Sequence, residues 1–129
     1  MGLFGNSKTK EFQNKVADIW NLIASFSYRE VPISAKSEID ANYYQLKSIY
    51  YQFSNPFDEY YNSYTTFTSP FGDKTSIAEG MYIIYLARGL AYQGERMSID
   101  MHQRIIIEAR SFCSSYSGRQ KIINEINNS

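Results

Sequence analysis

The chain has 129 residues and a mass of 15.0 kDa, and its 43% hydrophobic content suffices for one domain with a core of its own, without metal or disulfide staples. Its 13 basic and 13 acidic residues cancel, which argues against a dedicated double-stranded DNA binder, whose affinity rests on a basic footprint. The single cysteine, Cys113, excludes an intrachain disulfide and a cysteine-based metal cage.

The opening segment, MGLFGNSKTK, lacks the apolar stretch of a secretory signal. It carries Asn6 where a myristoylation signal wants Ser or Thr. The expectation is a cytoplasmic protein with no membrane span and a mobile lead-in over residues 1–7. Helix one is then announced by Phe12, Val16, Ile19, Ile23 and Phe26, whose steps of four and three share one face. Trp20 widens that face. The helix is expected over 8–27, ended by Pro32, which restricts Val31 and cannot continue the ladder.

Helix two is expected to begin near Ser34 or Ser37, where Ser37-x-x-Asp40 resembles a capping box. From there Ile39, Tyr43, Leu46, Tyr50, Phe53, Phe57, Tyr60, Tyr64 and Phe67 alternate steps of four and three, the pattern of a coiled-coil-like seam. The seam crosses Ser54–Pro56, where Asn55 suits an N-cap, Pro56 a first helical position, and Asp58 and Glu59 a first turn. A stop and restart, or a sharp kink, is expected there. Three Tyr-Tyr pairs fall on this stretch. One member of each, Tyr43, Tyr50 or Tyr60, lies on the seam. The other, Tyr44, Tyr51 or Tyr61, lies about 100° round the helix. Tyrosine offers rigid contact area and a polar tip, so these three are the candidate partner-binding residues.

Residues 65–75 read as a loop. Ser76-x-x-Glu79 is a capping box opening a helix over about 77–93, which Gly94 closes. That helix is apolar nearly all round, so it belongs in the middle of the domain. Gly80 and Gly89 each cost about 1 kcal/mol against alanine, and close packing on neighbouring helices is the expected compensation. Ser98 caps the next helix, with Ile99, His102, Ile105, Ile106, Ala109, Phe112, Cys113 and Tyr116 on its apolar face, and Gly118 ends or bends it. A short last helix over 119–126 turns Ile122, Ile123 and Ile126 inward, and residues 127–129 fray. The expected fold is all-α, a single irregular bundle of five or six helices spanning 1–129 around a buried central helix.

Chemistry is sparse. His102 is the one histidine and has no partner at metal-ligand spacing, so its expected role is structural, at the edge of the core. Cys113 reads as an inert packed thiol. The carboxylates do not gather, and no phosphate loop or nucleophile elbow occurs. No catalytic, cofactor or metal residue is assigned. From residue 74 onward seven basic residues face five acidic ones, whereas residues 31–73 hold two basic and five acidic. Arg110, Arg119 and Lys121 beside aromatics could contact a single strand, but the tyrosine-rich stretch is the acidic one and would repel phosphate. The leading expectation is therefore a non-enzymatic protein-interaction module, such as an adaptor, inhibitor or immunity-type protein, docking a protein partner or a second copy of itself. A small regulatory protein contacting RNA or single-stranded DNA comes second, and an enzyme using His102 third. Richness in Asn, Ile, Lys and Tyr points to an AT-rich bacterial or phage genome.

Overall fold

The structure, a computed structural model, describes residues 3–26, 29–58 and 75–129, with the backbone alone for residues 3–7. Among the described residues there are five helices: α1 (Leu3–Ala24), α2 (Ile33–Tyr50), α3 (Ile77–Tyr92), α4 (Ile99–Cys113) and α5 (Tyr116–Asn127). The fold is all-α, a bundle, as the sequence pattern predicts. Helix α3 packs against each of the other four. Every residue from Ile77 to Ile84 is buried, including Gly80. A segment with so little polar surface has no favourable place except the centre.

Helix α1 buries Phe12, Val16, Ile19 and Ile23 and turns Glu11, Asn14, Asp18 and Asn21 outward. It begins five residues earlier than expected, because once a helix is nucleated each added residue gains a hydrogen bond, and the one Gly5 does not outweigh that. It also ends earlier. Phe26 donates its N–H to the Ile23 carbonyl at 3.0 Å, a tighter turn that closes the helix before the chain reaches Pro32.

Helix α2 starts at Ile33, and Ser37 and Asp40 lie inside it rather than at its cap. Pro32 is the cap residue, in extended backbone, and its carbonyl accepts from the Lys36 N–H at 3.0 Å. The seam is as read: Ile39, Tyr43, Leu46 and Tyr50 are buried, with Phe53 and Phe57 half-buried beyond the helix end. The helix does stop, but four residues before the expected Ser54–Pro56. Helical geometry ends at Tyr50 and the chain turns, with the Asn55 carbonyl accepting from Asp58 N–H. The Pro56 carbonyl accepts the Ala78 N–H at 2.6 Å and so satisfies one orphan donor of α3. The expected restart, with Tyr60, Tyr61 and Tyr64, lies outside the described residues, as do Phe67 and Phe71.

The capping box of α3 forms by half. The Ser76 hydroxyl accepts from Glu79 N–H at 3.0 Å, but the Glu79 carboxylate turns to Arg110 of α4. Gly94, at φ 86°, supplies the left-handed residue after the helix. Gly89 departs from expectation. It is exposed, and a Cβ built there would meet nothing within 4 Å. It lies on the same side of α3 as the partly buried Tyr85 and Tyr92, opposite the fully buried Ile84, Ala87 and Ala91.

Helix α4 ends at Cys113, five residues before Gly118, and Ser115 caps a new helix by accepting from Gly118 N–H at 3.0 Å. The new helix breaks the apolar phase, so Tyr116 is 79% exposed, and Ile99, in the overhanging first turn of α4, is 70% exposed. Gly118 is required for its size: a Cβ there would overlap the Phe112 carbonyl. Ile122 and Ile126 bury as expected, and the chain stays hydrogen-bonded to its last residue, Ser129 N–H donating to the Ile126 carbonyl at 3.2 Å.

Candidate interaction surface

Lys36, Asp40, Tyr44, Lys47 and Tyr51 follow one another along α2 at steps of four, four, three and four, which places them within about 80° of helix surface. Tyr44 and Tyr51 are about half exposed, whereas their neighbours Tyr43 and Tyr50 are buried. The four-three reading of the paired tyrosines therefore separates them correctly. Tyr61 lies outside the described residues and is not placed.

The two exposed rings are held from several directions. Tyr44 meets Tyr43 edge to face with centroids 5.6 Å apart, and Tyr51 meets Tyr50 likewise at 5.3 Å. The Tyr51 hydroxyl donates to Asn127 Oδ1 at 2.6 Å. The Tyr44 hydroxyl reaches the Ser129 carbonyl at 3.5 Å, a long contact, while the buried Tyr43 hydroxyl lies 2.6 Å from Ser129 Oγ. Burial pushes the Tyr43 phenol up from its ordinary value and the Tyr50 phenol up to about 12, so both stay neutral near pH 7.

Helix α3 adds the other half of the surface. The Arg88 guanidinium lies 4.1 Å from the centroid of the Tyr43 ring, 5.7 Å from Tyr44 and 5.5 Å from Tyr92. Its Nε donates to Asp40 Oδ1 at 3.0 Å, and the Tyr92 hydroxyl lies 2.8 Å from the same oxygen. Burial, and then the nearby Asp40 carboxylate, push the Tyr92 phenol up. Lys36 Nζ sits 5.4 Å from the Tyr92 ring and Lys47 Nζ 6.0 Å from the Tyr44 ring. The product is an aromatic ridge with cations against its rings. Sequence reading missed Lys36, Lys47, Arg88 and Tyr92. The lysines were legible from their spacing to Tyr44 and Tyr51, but the α3 residues join through long-range packing that no local pattern announces.

The other candidates are engaged within the chain: Arg110, Arg119 and Lys121 stay exposed, whereas His102 and Cys113 are partly buried. Arg110 Nε donates to Glu79 Oε2 at 2.6 Å, Arg119 Nε donates to the Cys113 carbonyl at 2.6 Å and lies over the Phe57 ring, and Lys121 pairs with Glu125 at 2.7 Å. His102 packs its ring on Trp20 with centroids 4.7 Å apart, and burial lowers its pKa. Burial, with Glu79 nearby, pushes the Cys113 thiol up to about 11, far from a reactive thiolate at neutral pH. An open cleft of about 370 Å³ is bordered by Pro56, Phe57, Asp58, Arg119 and Ile123, and His102 is not part of it. Among the described residues no three His, Cys, Asp or Glu side chains gather as a metal site, and no helix is long and apolar enough to cross a membrane. Set against protein-family models, curated proteins and solved structures, the chain matches none.

Proposed function

We propose that this protein is a non-enzymatic protein-interaction module, an adaptor or inhibitor type of small protein that docks a partner on the outward tyrosine face of α2. One observation carries the reading. Tyr44 and Tyr51 present half-exposed rings whose edges rest on buried tyrosines, and the Tyr51 hydroxyl is tied to α5. Side chains fixed before binding lose little conformational entropy on binding, so their contact area converts to affinity more fully. Arginine and tyrosine are also the residues over-represented where interfaces concentrate their binding energy.

The test is the double variant Tyr44→Ala/Tyr51→Ala. Expected is loss of association, either with a captured host protein or with a second copy seen by sedimentation, of about thirtyfold or more, with a melting temperature close to that of the parent. Unchanged association on both counts would remove the tyrosine face as the interface.

A further inference from the structure

We infer that the tyrosine face accepts an acidic segment of a partner protein. The inference rests on the docking reading above and adds the chemistry of what docks. Summed along the sequence, the tyrosine-rich part is acidic. Among the described residues, the fold shows the opposite sign on this face. Glu38 lies about 160° round α2 from the middle of the Lys36–Tyr51 strip. Asp58 lies beyond the end of the helix, and Asp40 is engaged by Arg88 and Tyr92. The charges left on the strip are Lys36 and Lys47. Each ammonium rests against a tyrosine ring, and among the described residues neither has a carboxylate within ion-pair distance.

Two cations set along an aromatic ridge, Lys36 at one end and Lys47 between Tyr44 and Tyr51, call for carboxylates interspersed with apolar side chains. Lys36 and Lys47 are eleven residues apart, so their stems lie roughly 16 Å apart along the helix axis. An acidic helix of about three turns spans that distance, as does an extended segment of about five residues. Single-stranded nucleic acid fits less well. Its bases need open ring faces, and the Tyr44 and Tyr92 rings already carry Lys47, Lys36 and Arg88.

The probe is a random 16-residue peptide display library, panned against the full chain immobilised through its amino-terminal end, with selected peptides measured by fluorescence anisotropy. Expected are peptides enriched in Asp and Glu around Leu, Phe or Tyr. Their affinity should fall at least tenfold for Lys36→Glu/Lys47→Glu, at least tenfold for Tyr44→Ala/Tyr51→Ala, and progressively with salt. The tyrosine variant alters half-exposed positions and the lysine variant partly buried ones, so melting curves are recorded for both, and unchanged curves confirm that they fold. Peptides without acidic enrichment, weakened by the tyrosine variant but not by charge reversal, would overturn the acidic partner while keeping the docking face. Peptides indifferent to both variants, or no selected peptide at all, would overturn both. Oligo(dT) or oligo(U) binding more tightly than any peptide, and lost on the same charge reversal, would overturn the inference in favour of a nucleic-acid surface.

Discussion

The side-chain oxygens of Tyr43 and Ser129 lie 2.6 Å apart, although 86 positions separate them in the chain. The contact fastens the end of α5 to the middle of α2, and it sits beneath the exposed ring of Tyr44. Core and candidate interface are thus built from adjacent residues of one helix.

Alanine substitution should separate the two. Tyr43→Ala and Tyr50→Ala each remove a buried ring and leave a cavity, with an expected cost of about 3–5 kcal/mol. Tyr44→Ala and Tyr51→Ala remove half-exposed rings and one exposed hydrogen bond at most, with an expected cost within about 1 kcal/mol. Urea denaturation of the four single variants measures this. Equal costs across the set would mean that the outward rings are part of the core.

Two glycines should respond in opposite directions. Gly89 stands in the exposed face of a helix with open space around its missing Cβ, so Gly89→Ala should raise stability by up to about 1 kcal/mol through helix propensity. Gly118→Ala should destabilise clearly, since the added methyl overlaps the Phe112 backbone and forces α4 and α5 apart. Thermal melting of the pair decides it. A destabilising Gly89→Ala would show that something packs on that face.

His102 should make stability pH-dependent in a known direction. Burial lowers its folded pKa below the ordinary 6.5, so the unfolded chain takes up the proton first. Its contribution is fully present above pH 6.5 and is lost as pH falls from there through the lower folded value. His102→Gln should flatten that part of the profile. Trp20 fluorescence, followed through denaturation at each pH, is the readout because the two rings are in contact.

Glu79 should act in the opposite sense. Burial raises its carboxyl above the usual 4.5 despite the Arg110 partner, so the folded state holds the proton longer than the unfolded one. Its contribution is fully present below pH 4.5 and is lost as pH rises through the folded value. Glu79→Gln should remove this slope, and denaturation midpoints between pH 4 and 6 would show it. A profile that keeps its slope in the variant would assign it to other groups.

What could be read without the structure follows the range of each interaction. The seam of α2 and the burial of α3 were legible because both repeat within one helix, and a repeat of four and three needs no knowledge of the partner. The start of α2 was legible to within a residue at Ser34, but its cap was not, because Pro32 caps it through its backbone alone, while Ser37 and Asp40 imitate a capping box one turn further on. Asp40 instead serves Arg88, 48 positions away. Gly89 gave no signal of its exposure, since a residue without a side chain contributes nothing to an apolar period. Charge summed along a segment does not give the charge of a helix face: the turn of α2 carries Glu38 away from Lys36 and Lys47.

The position of Ser129 has a practical side. Its carbonyl lies within reach of the Tyr44 hydroxyl, and Asn127 is bonded to Tyr51. Any polypeptide continuing past Ser129 therefore emerges beside the aromatic ridge. An affinity tag or fluorescent fusion placed there would stand over Tyr44 and Tyr51 and compete for them, and a screen run with such a fusion would return false negatives.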